Sequence, residues 1–320
     1  MTDPRGILEL ALDDGRPPLN FVALSLLLSG AFAVFLAATG QFLPHDVAYL
    51  GISADELCAL NKCRIVDFMI HDRTAFGGAL VAVGLLYLWL IAVPLKQGQP
   101  WAWWTLALSG SAGFLSFFTY LGYGYLDTWH GAATLVLGPI YAAGLYKSRG
   151  LLQGSPGIAA LRHPGAPFSL TTPGGIGRGL ILLVTFGMMA AGSVILTIGI
   201  SEIFVPQDLI FMEITLPELH ALNARLVSLI AHDRAGFGGA ILSTGLAAFL
   251  SVWCGSPTKN LWQILFLAGS TGFGGAILTH YVVGYTDIVH LAPAYLGASL
   301  FSLGLIFSFR SMMKKRELGR

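Results

Sequence analysis

Ten ionisable side chains recur at matched positions along this chain. His71-Asp72-Arg73 opens the stretch His71 to Leu80, and His232-Asp233-Arg234 opens His232 to Ile241, with seven of the ten positions identical. A second signature runs Gly124-Tyr125-Leu126-Asp127-Thr128-Trp129-His130 in one copy and Gly284-Tyr285-Thr286-Asp287-Ile288-Val289-His290 in the other. Imidazole is the commonest transition-metal ligand and the usual proton carrier near neutral pH. A carboxylate beside it is the partner that orients a metal-bound ring. His71, His130, His232 and His290 are therefore candidate metal or cofactor ligands. A transition metal, a haem with two axial histidines, or a quinone or lipid head group held by His and Arg would each suit them. No spacing matches an established ligand motif such as H-E-x-x-H.

The acids and arginines have a plainer use. Asp72, Asp127, Asp233 and Asp287 are favoured helix N-caps, and their charge suits the positive end of a helix dipole. Arg73 and Arg234 can pair with these carboxylates, which lowers the cost of holding either charge beside lipid. Neither capping nor pairing calls for an imidazole, so the histidines carry the functional expectation.

The elements that position these residues cross a membrane. Hydrophobic residues make up 55% of the 320 and charged ones 11%, against roughly 25% charged in a soluble domain. Apolar stretches of about 20 residues, the length that spans a bilayer as a helix, begin near Asn20, Ala75, Trp101, His130, Gly179, Ala235, Leu261 and His290. Eight transmembrane helices are expected, in an all-α fold. The first is read as retained, because its counterpart Leu180 to Ile200 lies mid-chain, where a signal peptide has no meaning.

The matched signatures divide the chain into two parallel four-helix repeats, residues 1–148 and 179–320. A cytoplasmic linker rich in Gly and Pro, residues 149–178, joins them. Ser53 to Glu56 and Thr215 to Glu218 both read as capping boxes, so each repeat should carry an amphipathic helix between its first and second spans, ending just before His-Asp-Arg. The first copy has one extra residue between Asn61 and Arg64, which should distort that helix. A Cys58–Cys63 bridge is out of reach on an ideal helix and becomes feasible only through this insertion. Paired glycines such as Gly77-Gly78, Gly238-Gly239 and Gly269, Gly272 and Gly275 are expected to let helices approach closely.

Thirteen of the 18 Lys and Arg residues fall on one side of this topology. That bias puts both termini in the cytoplasm of a plasma (inner) membrane and the His/Asp/Arg signatures in the outer leaflet. No basic patch suggests nucleic acid, so the partners are membrane lipid and other membrane-complex subunits. The inner halves of the second and fourth spans carry no acid, base or histidine, whereas a coupled transporter needs polar sites near the midplane. The expected function is a redox or catalytic component with an outer-leaflet cofactor, quinone or metal site, in aromatic surroundings that include Tyr120, Tyr123, Tyr125, Trp129, Tyr281 and Tyr285. The alternatives are a non-catalytic scaffold subunit and a proton- or ion-coupled transporter. Within each repeat the two signatures should meet: Arg73 near Asp127, Arg234 near Asp287, His71 close to His130 and His232 close to His290.

Overall fold

Helix starts in this protein are written in hydroxyls, carboxylates and amides. Ser53 Oγ accepts from Glu56 N at 3.2 Å while Glu56 Oε2 accepts from Ser53 N at 2.8 Å, and Thr215 and Glu218 repeat the exchange. Thr172, Asn223 and Thr258 cap three long helices, and Asp127 caps a fourth through the amides of Trp129 and His130. These side chains satisfy amides that an open helix end leaves without partners.

In the computed structural model, residues 12–118, 125, 127–154 and 157–313 are described, and no strand occurs among them. The helices are α1 (Arg16–Thr39), α2 (Pro44–Leu50), α3 (Ala54–Asn61), α4 (Arg64–Leu90), α5 (Pro100–Phe118), α6 (Thr128–Ser148), α7 (Pro173–Ile200), α8 (Pro206–Met212), α9 (Leu216–Leu222), α10 (Ala224–Cys254), α11 (Lys259–Val283) and α12 (Ile288–Met313). A wider turn, Ile91–Leu95, extends α4. Among the described residues, six helices are long and apolar enough to cross a membrane: α1, α4 with its extension, α7, α10, α11 and α12. α5 and α6 are shorter and less apolar. The basic tail beyond Met313 lies outside the described residues.

α4 and α10 form the centre. α4 packs against α1, α11 and α10, whereas α10 packs against α7, α5 and α4. The third long helix of each half therefore lies on the second helix of the other half. Small residues make these contacts close. A Cβ on Gly77 would stand 2.7 Å from Gly30 O, and one on Gly238 would stand 2.9 Å from Gly192 O, so neither position admits a side chain. Between α4, α5 and α10 the buried polar groups are hydroxyls: Tyr87 Oη lies 2.7 Å from Ser109 Oγ, and Ser109 and Ser243 exchange bonds with each other's carbonyls at 2.8 Å.

α4 begins at Arg64 and α10 at Ala224, eleven residues before the apolar stretches at Ala75 and Ala235. The segment Arg64–Ile70 is helical and largely buried, so His71-Asp72-Arg73 and His232-Asp233-Arg234 lie just over two turns inside their helices. Neither Asp72 nor Asp233 is an N-cap, and neither triplet follows directly on a short amphipathic helix. At 1.5 Å per residue, His71 stands about 36 Å from Leu95 and His232 about 33 Å from Cys254. That is close to the hydrocarbon thickness of about 30 Å, so the part of each helix beyond its triplet is long enough to span the layer.

The extra residue of the first copy does not distort α3, which ends at Asn61. Lys62 and Cys63 absorb it in left-handed conformations, φ 49° and 63°, and the turn brings Cys63 onto Cys58 in a disulfide. In the second copy an extended Asn223 makes the same connection alone. Of the chain's three cysteines, only Cys254 is free. Alkylation of the denatured protein should accordingly modify one thiol before reduction and three after it. Serine at both positions should cost about 2 kcal/mol of stability for so short a loop. Three reactive thiols without reductant would exclude the bridge.

Candidate functional site

Three short-range networks meet where α4 and α10 pass under α2 and α8. Arg73 donates to Asp233 Oδ2 at 2.8 Å and to Asp46 Oδ2 at 2.9 Å. Arg234 mirrors it, reaching Asp72 Oδ2 at 3.4 Å and Asp208 through Nη2. Each arginine thus bridges the triplet of the other half to an acid on the short helix of its own half. Phe42 lies against the Arg73 guanidinium, and Phe68 and Phe204 against that of Arg234. Both tyrosines of the second signature join in: Tyr125 Oη donates to Asp46, and Tyr285 Oη to Asp208 at 2.9 Å. Burial, reinforced by the neighbouring carboxylate, pushes both phenols well above their ordinary range.

His71, His280 and His290 form one cluster, with one ring nitrogen from each within 4.8 Å of the others. His71 Nδ1 lies 3.0 Å from Asp72 Oδ1, and His280 Nδ1 lies 2.6 Å from Ala276 O. An ionised carboxylate and a carbonyl can only accept, so each Nδ1 carries a proton, and on a neutral ring each Nε2 presents a lone pair. Those two Nε2 atoms face each other at 3.0 Å. His290 Nδ1 stands 3.2 Å from Tyr285 Oη, whose own proton goes to Asp208, so its Nε2 is left as the third lone pair.

The cluster sits at the polar end of a cavity of about 860 Å³ lined by α4, α7, α10, α11 and α12. α7 and α12 touch near Gly177 and Gly304. Leu183 and Val194 of α7 and Val289 and Leu296 of α12 line the cavity and are exposed. Apart from the threonines Thr185 and Thr244, the walls away from the histidines are apolar.

A second cluster lies across the pair of central helices. Asp127 Oδ2 is 3.1 Å from His130 Nδ1 and 3.5 Å from His232 Nε2, and those two nitrogens are 3.0 Å apart. His45 Nε2 approaches Asp127 Oδ1 at 3.2 Å. Burial raises the Asp127 carboxyl, but the bonds to His130 and His232 outweigh it and hold the group well below the usual carboxylate range. Phe76 and Phe117 cover His130, at ring distances of 5.8 and 5.3 Å. The pocket beside them has a volume of only about 30 Å³.

The expected pairings within each half are thus overturned. Arg73 meets Asp46 and Asp233 rather than Asp127, and Arg234 meets Asp72 and Asp208 rather than Asp287. His71 meets His280 and His290 rather than His130, and His232 meets His130 rather than His290. The cause is the exchange of third helices, which turns the face of each second helix toward the other half. Asp287 is exposed and only caps α12, accepting from His290 N at 2.8 Å. His45 and His280 were missed because neither is duplicated: Gln207 stands at the position of His45, and the corresponding stretch of the first half has no counterpart to His280. Tyr120, Tyr123, Gly124 and Leu126 lie outside the described residues.

No known protein family, curated protein or solved structure matches this chain. The chemistry of the two clusters therefore guides the functional reading.

Proposed function

We propose that this protein binds a transition metal at His71, His280 and His290 and uses it as a redox or catalytic component on an amphiphile dissolved in the membrane, such as a quinone. The observation that carries this reading is the convergence of three imidazoles whose Nδ1 atoms are already committed to acceptors. With both rings neutral, two lone pairs at 3.0 Å repel unless a proton or a metal ion lies between them, and three nitrogen ligands with space beyond are the pattern of a catalytic metal site with an open position. The Asp72 carboxylate behind His71 is the partner such a ligand ordinarily has. The apolar walls support an apolar ligand, and in this reading it enters from the bilayer between α7 and α12, whose exposed apolar side chains line the cavity.

In this reading α5 and α6 also cross the membrane, which gives eight spans. Residues 1–148 and 179–320 are parallel four-helix repeats about a pseudo-two-fold axis, joined by residues 149–178. The mirrored Arg–Asp bridges and the reciprocal packing of α11 on α4 and α5 on α10 support that symmetry. The Lys and Arg bias puts both termini in the cytoplasm and the clusters near the outer edge of a plasma membrane. Asp46, Asp208, Asp233, Arg73 and Arg234 serve as architecture: their charges are spent on one another.

Metal analysis and electronic spectra of the purified protein test the proposal. Stoichiometric metal is expected, and His280→Ala should remove the metal of this cluster while leaving a folded, monodisperse protein. A wild-type protein that holds no metal, even after incubation with divalent zinc, cobalt or copper, would leave a scaffold role instead.

A further inference from the structure

We propose that Asp127, His130 and His232 form a second, separate metal site, for a divalent cation of the zinc type. Its residues share nothing with the three-histidine cluster, so it stands or falls independently of the function proposed above. Asp127 Oδ2, His130 Nδ1 and His232 Nε2 make a triangle with sides of 3.0, 3.1 and 3.5 Å. Nitrogen and oxygen ligands about 2.0–2.1 Å from a tetrahedral zinc stand about 3.3–3.4 Å apart, so the triangle has the size of one face of such a site. Hydrogen bonding accounts for it less well. With His130 Nδ1 and His232 Nε2 both donating to Asp127 Oδ2, two N–H groups 3.0 Å apart crowd one oxygen. A cation at the centre bonds to all three.

Charge points the same way. Asp46, Asp127 and Asp233 are buried or nearly so, and Arg73 is the cation that bridges two of them. With neutral histidines this group carries two formal negative charges, the balance that a divalent ion restores at an edge where uncompensated charge is costly. His45 Nε2 stands 3.2 Å from the other Asp127 oxygen, outside hydrogen-bonding geometry. None of its three residues lines the large cavity, so its ion is apart from the amphiphile there. It serves to lock α6 to α10 across the two halves.

Zinc titration of the full-length protein in detergent, stripped beforehand with a chelator, distinguishes the two sites. Two equivalents are expected to bind. Asp127→Asn keeps the N-cap, since Asn caps as well as Asp, and should remove one equivalent or weaken it at least about tenfold, while His280→Ala removes the other. His130→Gln provides a second probe should the first variant not fold. Wild-type protein that binds only the equivalent lost in His280→Ala overturns the second site and leaves the first. A single equivalent lost in Asp127→Asn but retained in His280→Ala supports the second site and overturns the first. Two equivalents retained in both Asp127→Asn and His130→Gln refute the assignment, as does a wild type that binds none.

Discussion

Arg234→Met should destabilise the protein by about 3–5 kcal/mol, the usual cost of stranding buried charge by removing its partner. The guanidinium is the shared counter-ion of Asp72 and Asp208, and all three side chains are almost wholly buried. Methionine keeps much of the apolar stem and removes only the charge. Adding Asp72→Asn and Asp208→Asn to Arg234→Met should restore most of the loss, because no unpaired charge then remains. The two readouts separate architecture from chemistry. Asp72 also holds the Nδ1 proton of His71, so the triple variant should regain its denaturation midpoint yet bind metal at the three-histidine cluster about 10–100-fold more weakly. A triple variant no more stable than Arg234→Met would show that the arginine acts through packing against Phe68 and Phe204 and not through charge.

Much of this was legible in the residues, and the part that was not has a physical reason. Composition and apolar runs disclose helices that cross a membrane, and capping boxes at Ser53 and Thr215 disclose the two short helices that precede α4 and α10. Duplication singles out His71, His130, His232 and His290, all of which join a cluster. Which histidine meets which depends on the helix neighbours, and a run of small residues does not name its partner. Gly78 packs on Gly275 and Gly239 on Ser116, contacts that join opposite halves. A sequence places those residues at one depth but is silent on the exchange. The same dependence on duplication hid His280 and His45, where the halves diverge. The apolar stretch expected from Ala75 also starts too late: the helix begins at Arg64 and is already buried at Ile65, Val66, Phe68 and Met69.

The two clusters differ in the space beside them, about 860 Å³ against about 30 Å³, and the difference can be reversed. Ala276 lies one turn before His280 on α11, and Ala294 one turn after His290 on α12; both line the large cavity. Phenylalanine at both positions should put two rings beneath the three histidines, as Phe76 and Phe117 cover His130 in the other cluster. The metal ligands and their Nδ1 partners are untouched, since Ala276 supports His280 through its backbone carbonyl. The double variant should therefore keep its full metal complement. Its binding of a decyl-tailed benzoquinone, followed through the visible spectrum of the cobalt-loaded protein, should fall at least about tenfold, or about 1.4 kcal/mol. The wild-type spectrum should respond to the quinone, and the response should compete with small anionic metal ligands. A double variant that binds the quinone as tightly as the wild type would mean that the large cavity is not the route to the metal. Loss of metal along with quinone binding would mean instead that the rings had displaced the histidines, and single substitutions at Ala276 and at Ala294 would then identify the position responsible.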